Sequence, residues 1–273
     1  MNLYDKLFPP KKIVLGNGKE ISEKRSRMPL ILLLLVIATW ISVDITGFDF
    51  SVLMKRGSRF FDILGQMFPP ETSYLSAIWG PLFDTIKMSL IGSAIGAILA
   101  VPIAMIAASN IVHNKVIIFA SRLFLSLVRT IPTLVIALIA TYIFGLGTLA
   151  GTIAIAVFTF AYIGKLLYEQ IETVDMGAYE AMEAAGATKI RAFLAAIVPQ
   201  VLPSYIANCL FCFEGNVRYA AILGYVGAGG LGLIINEKIG WRQYPSVGMI
   251  LVALFVTVMV IEGISHYLRK KLT

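Results

Sequence analysis

The fold is decided between Asp175 and Pro203, where the chain reads DMGAYEAMEAAGATKIRAFLAAIVPQVLP. Asp175 can cap a short helix over 176–185, whose alanine, glutamate and methionine residues favour helix formation. Gly186 suits the left-handed position that ends a helix, and Thr188 can cap the helix that follows. The pattern therefore predicts a short polar helix, a glycine turn and then a long apolar helix.

Long uncharged segments lie on both sides of this stretch. Hydrophobic residues make up 58% of the chain and charged residues 14%, whereas an ordinary soluble domain carries about 25% charged residues. Asp, Glu, Lys and Arg are absent from residues 28–43, 88–112, 130–164, 192–213 and 243–261. Because a helix crosses a bilayer with roughly 20 mostly apolar residues, these segments predict an all-α, polytopic membrane protein.

The apolar segments accommodate six crossings. We predict them over 29–47, 84–109, 116–144, 148–168, 192–214 and 243–267. Basic residues are concentrated in the first 28 positions and again at Arg269, Lys270 and Lys271. Lysine and arginine mark the cytoplasmic side of a membrane, so both termini are expected there, together with the loop 169–191. This placement also explains the net charge of +7 without nucleic acid.

The crossings divide the chain into three parts. Residues 1–83 are expected to form a cytoplasmic tail, the first span and an external segment. Residues 84–268 form the transmembrane domain, and 269–273 a cytoplasmic tail. The external segment, 48–83, is interpreted as holding an interfacial helix, because four apolar residues can lie along lipid. These are Phe60, Phe61, Leu64 and Phe68.

Two interpretations of the helix over 176–185 follow from its residues. A short rigid helix beside the membrane can be the handle on which a soluble motor acts, with exposed acids and Tyr179 as contacts. It can equally be an ordinary solvated loop helix. The residues alone leave both interpretations open.

The run Glu180-Ala181-Met182, with Gly186 six residues after the glutamate and Pro199 beyond it, resembles the EAA loop of bacterial ABC import permeases. Met182 departs from that pattern, as do Ala196 and Val198, but all three keep its apolar character. The resemblance covers about 84–268 and implies the fold of type I ABC importer permeases, in a bacterial plasma membrane.

The resemblance also implies how the loop works. The family's EAA helix docks on a nucleotide-binding subunit, which assigns ATPase coupling to six residues here. They are Tyr179, Glu180, Ala181, Met182, Glu183 and Gly186. The implied partners are a pair of ATPase subunits, an extracytoplasmic substrate-binding protein and a second copy of this chain.

Three further motifs narrow the family. Residues 213–218 read FEGNVR, 224–232 read GYVGAGGLG and 129–132 read RTIP; all three resemble the phosphonate importer permeases. Methionine importer permeases share the glycine-rich part, so that substrate stays an alternative. Phosphonate, phosphite and phosphate importers are not separated by these motifs.

Six residues are candidates for the substrate path. Arg129, Asn216 and Arg218 are the polar candidates, and Gly227, Gly229 and Gly230 permit a broken segment beside a pore. Charges within spans usually face the bundle interior or water, and guanidinium groups suit oxyanions. Arg218 is also placed to form an ordinary i,i+4 ion pair with Glu214, whereas Arg122 is expected to reach the cytoplasmic surface.

Several other functions are disfavoured. The match of Gly227 to Gly232 with G-x-G-x-x-G lacks the βαβ setting of a dinucleotide site. No phosphate-binding G-x-x-x-x-G-K-[ST] motif is present, so we expect no cofactor in this chain and ATP with magnesium on a partner. Cys209 and Cys212 suit packing, and we predict neither a metal site nor catalytic residues. An ion-driven transporter would favour intramembrane acids, which the apolar segments lack.

Overall fold

The computed structural model describes residues 12–14, 16, 18, 20–22 and 28–272. The chain divides after Phe61 into two units. In the first unit, strand β1 (Lys12–Val14) pairs antiparallel with strand β2 (Glu20–Ser22), and Ile13 lies opposite Ile21. Most of the predicted N-terminal tail lies outside the described residues.

The first unit also contains the first predicted span. Helix α1 (Met28–Ile45) has 18 residues and no buried side chain, and at 1.5 Å per residue it is about 27 Å long. Helix α2 (Phe50–Gln66) begins five residues after α1 ends. The helix predicted in the external segment is therefore confirmed, whereas its position along lipid stays a prediction.

The second unit holds the remaining helices. In chain order they are α3 (Leu75–Ala107), α4 (Lys115–Thr130), α5 (Thr133–Phe144), α6 (Thr148–Glu172), α7 (Gly177–Ala184), α8 (Lys189–Ala192), α9 (Val198–Leu223), α10 (Leu231–Gly240) and α11 (Tyr244–Leu272). Helices α6 and α11 are long and apolar enough to cross a bilayer, as are α1 and the segments Thr72–Ala107 and Lys189–Val226. Five of the six predicted crossings are therefore confirmed as helical spans.

The third predicted crossing, 116–144, is not one continuous helix. Helices α4 and α5 meet at an angle of 82°. Pro132 has no amide proton and disfavours helical geometry in the residue before it, and Ile131 is accordingly extended, with φ −79° and ψ 120°. The pair therefore forms one broken span or a re-entrant segment.

The second crossing begins earlier than predicted. Helix α3 starts at Leu75, after a turn of 3₁₀ helix over Thr72–Tyr74, rather than at residue 84. The predicted crossing already included Asp84 and Lys87, which lie on the exposed surface of the helix, 3.9 Å apart; the helix adds residues 75–83 before them. Two charges at this spacing do not interrupt a helix.

Close packing of α3 on α6 forms the centre of the bundle. A Cβ atom on Gly96 would lie 2.4 Å from the carbonyl oxygen of Ala156, and one on Gly92 would lie 2.8 Å from that of Thr152. Small residues at a four-residue spacing let two helix backbones approach this closely. Gly92 and Gly96 therefore serve close packing between two helices of this chain.

The start of α3 is attached to the start of α11. The Glu71 amide donates to the Pro245 carbonyl oxygen over 3.1 Å, and its carboxylate accepts from the Ser246 hydroxyl over 2.5 Å. The Ser73 hydroxyl also donates to this carboxylate. The two hydroxyl bonds lower the pKa of Glu71 below its usual value, and the bond from Ser246 has the larger effect. Because the ionised carboxylate accepts better, this attachment is complete above the usual glutamate pKa and weakens in acid.

A turn of π-helix joins α8 to α9. The Val198 amide donates to the carbonyl oxygen of Phe193, five residues earlier, over the segment Phe193–Ile197. Pro199 follows immediately and cannot donate to the carbonyl four residues before it. The π turn therefore lies between the predicted coupling loop and the long helix that the loop would move.

Candidate functional site

Helix α7 begins within one residue of the predicted position. The carboxylate of Asp175 accepts from the Gly177 amide over 2.9 Å, and Gln200 on α9 bonds to both the amide and the carbonyl of Asp175, each over 3.2 Å. The helix starts one residue later than predicted, after Met176, whose side chain makes no capping bond; the side-chain acceptor at this turn is Asp175. Its attachment to Gln200 links the start of α7 directly to a spanning helix.

The end of α7 also follows its local signals. Gly186 has φ +90°, in the left-handed region that glycine adopts without strain. The Ala187 amide bonds to the Met182 carbonyl oxygen over 3.0 Å, which closes the last turn. Thr188 then accepts from the Arg191 amide over 3.4 Å, so its predicted cap is confirmed.

The two faces of α7 differ in exposure. Glu180 and Ala181 are exposed, as is Gly186 just beyond the helix. Tyr179 is only 6% exposed and Met182 is half-buried, and both pack against an apolar cluster that includes Phe193 and Ile197. The predicted contact surface therefore needs correction, because Tyr179 and Met182 support the helix from inside instead of being presented outward.

Tyr179 has a polar partner within α7. Its hydroxyl donates to the carboxylate of Glu183 over 3.2 Å, and burial, followed by the negative charge of Glu183, raises the pKa of Tyr179. The tyrosine therefore stays neutral at physiological pH, and the bond restricts Glu183. Of the two glutamates on α7, Glu180 is the more exposed.

A cluster of charged side chains, the ion-pair group, lies where α9 packs on α11. Glu214 is 5% exposed, and its carboxylate accepts from Arg218 and, over 3.3 Å, from Arg269. Arg218 also lies 3.7 Å from Glu262, and its side chain is 52% exposed. The i,i+4 ion pair predicted for Glu214 and Arg218 is confirmed, within a group whose two carboxylates balance its two guanidinium groups.

Asn216 lies apart from Arg218. It is 1% exposed, and its side-chain amide donates to Ser93 over 2.8 Å and to Thr159 over 2.9 Å. These bonds join α3, α6 and α9 in the core of the second unit. The structure therefore does not bring together Asn216 and Arg218, two of the polar candidates for the substrate path.

The glycine-rich segment is a sharp break between helices. Gly227, Gly229 and Gly230 have φ values of +80°, +81° and +69°. The Gly227 carbonyl accepts from the Gly147 amide over 2.9 Å, and the Leu231 amide donates to Thr85 over 2.8 Å. A broken segment buried against protein is thus confirmed, and it is flanked by helices, not by the strands of a dinucleotide site.

Arg129 lies in the last turn of α4, just before the break at Ile131 and Pro132. It is exposed. The structure places it on a different helix pair from Arg218, so the candidate residues occupy separate regions. They comprise the surface of α7, the ion-pair group on α9 and α11, the buried glycine break and the end of α4.

Comparison with known proteins decides the family. Residues 100–273 match the family described as the binding-protein-dependent transport system inner membrane component. The chain belongs to this family. It is therefore a multi-pass permease component of an ABC importer.

Two relatives and one solved structure support this result. The chain is 32% identical over 222 residues to the phosphite transport system permease protein PtxC of Stutzerimonas stutzeri, covering 81% of each chain. It is 32% identical to the phosphate-import permease protein PhnE of Mycolicibacterium smegmatis, covering 77% of this chain and 40% of that relative. A structure of the MetNI methionine ABC transporter, in inward-facing conformations, aligns with a TM-score of 0.67 at 20% identity, covering 74% of this chain and 99% of that chain.

One polar cluster of this permease has no signal in the sequence motifs. Arg122 on α4 donates to Glu172 at the end of α6 and to the Ala107 carbonyl oxygen over 3.0 Å. The Ser109 amide donates to the same glutamate over 2.7 Å. Arg122, whose side chain is 35% exposed, joins the ends of α3, α4 and α6, just before the loop that carries α7; that it reaches the cytoplasmic surface stays a prediction.

We expect Glu172→Gln to lower the free energy of unfolding by about 1.5–3 kcal/mol, the range for hydrogen bonds to charged groups. Arg122 would lose its ionic partner, and Ser109 a charged acceptor. Glu169→Gln is the matched control, because Glu169 pairs with Lys165 on the exposed side of α6, where such a pair contributes little. Thermal unfolding in detergent measures both, and equal shifts would contradict a special role for Glu172.

Proposed function

We propose that this permease forms the translocation path for phosphonate or a related phosphorus oxyanion, such as phosphate or phosphite. The observation that carries the proposal is the 32% identity over 81% of each chain shared with a permease named for phosphite. The methionine alternative has weaker support, because the MetNI structure is 20% identical and indicates the fold alone.

The proposed complex contains two copies of this chain, two ATPase subunits and an extracytoplasmic binding protein. Each ATPase subunit needs a docking helix, and this chain offers one, α7. Both termini and the 169–191 loop lie in the cytoplasm in this proposal, because the basic ends of the chain mark that side. In this proposal ATP and magnesium bind to the partner, which hydrolyses the ATP.

Helix α7 is the proposed coupling element. Its exposed residues, Glu180 and Ala181, would contact the ATPase, while Tyr179 and Met182 anchor it to the helices that move. Closure of the ATPase pair would then pull on α7 and turn α9 with it, which is a two-state, rigid-body type of coupling. The bonds between Asp175 and Gln200 give this pull a direct route into the membrane domain.

Co-purification tests the proposed assembly. The permease is expressed with its ATPase and binding protein, purified and reconstituted in liposomes. We expect ATP hydrolysis to rise when the loaded binding protein is added outside, together with accumulation of labelled phosphate, phosphite or methylphosphonate. Hydrolysis that ignores the permease, or uptake driven by an ion gradient without ATP, would contradict the proposal.

Arg218 remains a proposed contact for the anion on the path. We expect Arg218→Ala to reduce the rate of uptake about tenfold, the effect of losing roughly 1.5 kcal/mol from one charge-assisted hydrogen bond. Folding should survive, since Glu214 keeps Arg269 as a partner. The measurement is initial uptake by proteoliposomes at equal permease content, and uptake at the wild-type rate would remove Arg218 from the path.

A further inference from the structure

A groove of about 370 Å³ lies between α4 and α6, away from the ion-pair group on α9 and α11. Helix α4 contributes Arg122, Ser126 and Arg129 to its wall, and α6 contributes Lys165 and Tyr168. The volume is within the usual range of small-ligand sites, about 300–1,000 Å³. The groove therefore combines adequate space with three cations and two hydroxyl groups.

The cations of the groove are not equally neutralised. Arg122 pairs with Glu172, and Lys165 lies 3.3 Å from Glu169. Arg129 differs, because within residues 28–272 no carboxylate oxygen lies within 4.0 Å of its guanidinium nitrogens. The groove thus retains positive charge at Arg129, whereas Arg218 already lies between two carboxylates.

The position of Arg129 adds a second argument. It belongs to the broken pair of helices that replaces the third crossing, one turn before the bend. A charged side chain at membrane depth is costly unless it faces water, protein or an opposite charge. An exposed arginine here is therefore expected to face an aqueous cavity or a ligand, and not hydrocarbon.

We propose that this groove is a binding subsite for a phosphorus oxyanion, resting on the function proposed above. The guanidinium of Arg129 donates to two oxygens of the anion, since its planar fork matches such groups. The Lys165 ammonium and the Ser126 hydroxyl donate to the remaining oxygens. Glu169 then shares Lys165 with the anion, so occupation of the groove weakens an ion pair on α6.

The test compares three variants in the complete, reconstituted importer, with saturating loaded binding protein. Arg129→Gln should slow uptake of labelled phosphate and methylphosphonate about tenfold or more, the effect of one charge-assisted hydrogen-bonding partner. Arg129→Lys should recover part of that rate, since the charge is kept and the fork is lost. Lys115→Gln, an equal charge change at the exposed start of α4, should stay within twofold of wild type.

A second measurement separates the substrate from a lipid headgroup, which carries the same phosphate chemistry. Lipids that co-purify with wild type and Arg129→Gln are quantified by mass spectrometry. Slower uptake with unchanged anionic lipid supports the subsite. Loss of bound lipid with wild-type uptake overturns it, as does wild-type uptake with unchanged lipid. Failure of the wild-type importer to transport any phosphorus oxyanion overturns the proposed function itself.

Discussion

Replacing Gly186 by valine is expected to abolish most ATP-driven uptake while the membrane-spanning helices stay folded. The Gly186 backbone has φ +90°, which is strained for a β-branched residue by about 1–3 kcal/mol. No neighbouring atom lies within 4 Å of a Cβ placed there, so the effect comes from the backbone alone. The strain is relieved when the turn after α7 opens, and α7 then loses its fixed direction.

The measurement is uptake by proteoliposomes together with ATP hydrolysis. We expect Gly186→Val to lower uptake by roughly fivefold to 150-fold, the range that corresponds to this strain, and to weaken the response of the ATPase to loaded binding protein. Gly186→Asn is the matched control, because asparagine tolerates positive φ far better than valine. Normal uptake by the valine variant would show that α7 does not transmit force.

Glu180→Lys tests the same helix from its outer face. Glu180 is exposed, so charge reversal should leave folding unchanged and act on the ATPase contact alone. Loss of co-purifying ATPase, with normal thermal unfolding of the permease, is the expected result. An unaltered complex would remove Glu180 from the contact.

Gly96→Ala is expected to disrupt the bundle itself. Its new methyl group would lie 2.4 Å from the Ala156 carbonyl oxygen and 2.7 Å from the Thr159 Cβ. Backbone of α6 must move to relieve this contact, so we expect a loss at the upper end of the roughly 1–3 kcal/mol that overpacking costs, or more. The result would be a lower unfolding temperature in detergent and less protein in the membrane.

Gly80→Ala provides the control on the same helix. Gly80 belongs to α3, and nothing lies within 4 Å of a Cβ at that position. The identical chemical change should therefore be neutral, or stabilise the helix by up to about 1 kcal/mol through helix propensity. Equal destabilisation by the two variants would show that close packing on α6 is not the cause.

The local features of the coupling segment were predictable because their signals are local. Asp175, Gly186 and Thr188 each act within a few residues of their own position, through caps and backbone conformation. The inward orientation of Tyr179 was not predictable, because it depends on a cluster assembled from α6 and the π turn. Helical spacing alone does not say which face of α7 is covered.

Polar contacts between nearby residues were likewise predictable from the sequence, whereas contacts between distant residues were not. The Glu214–Arg218 pair follows from i,i+4 spacing, whereas Arg269 reaches Glu214 from 55 residues away. The cluster of Arg122 with Glu172 likewise joins residues 50 apart in the chain. Such contacts depend on which helices become neighbours, and the sequence of a single chain does not specify that. The bend at Pro132 could have been predicted, because its local signal, a proline, was present in the RTIP motif.

The π turn at Phe193–Ile197 affects how motion could pass from α7 to α9. A regular α-helix rotates as a single rod, so every side chain keeps its angular phase when one end turns. A π turn accommodates one extra residue, so converting it to regular α-helix changes the phase of the residues on one side by about 100°. The junction can therefore act as a rotary joint that re-aims one face of α9.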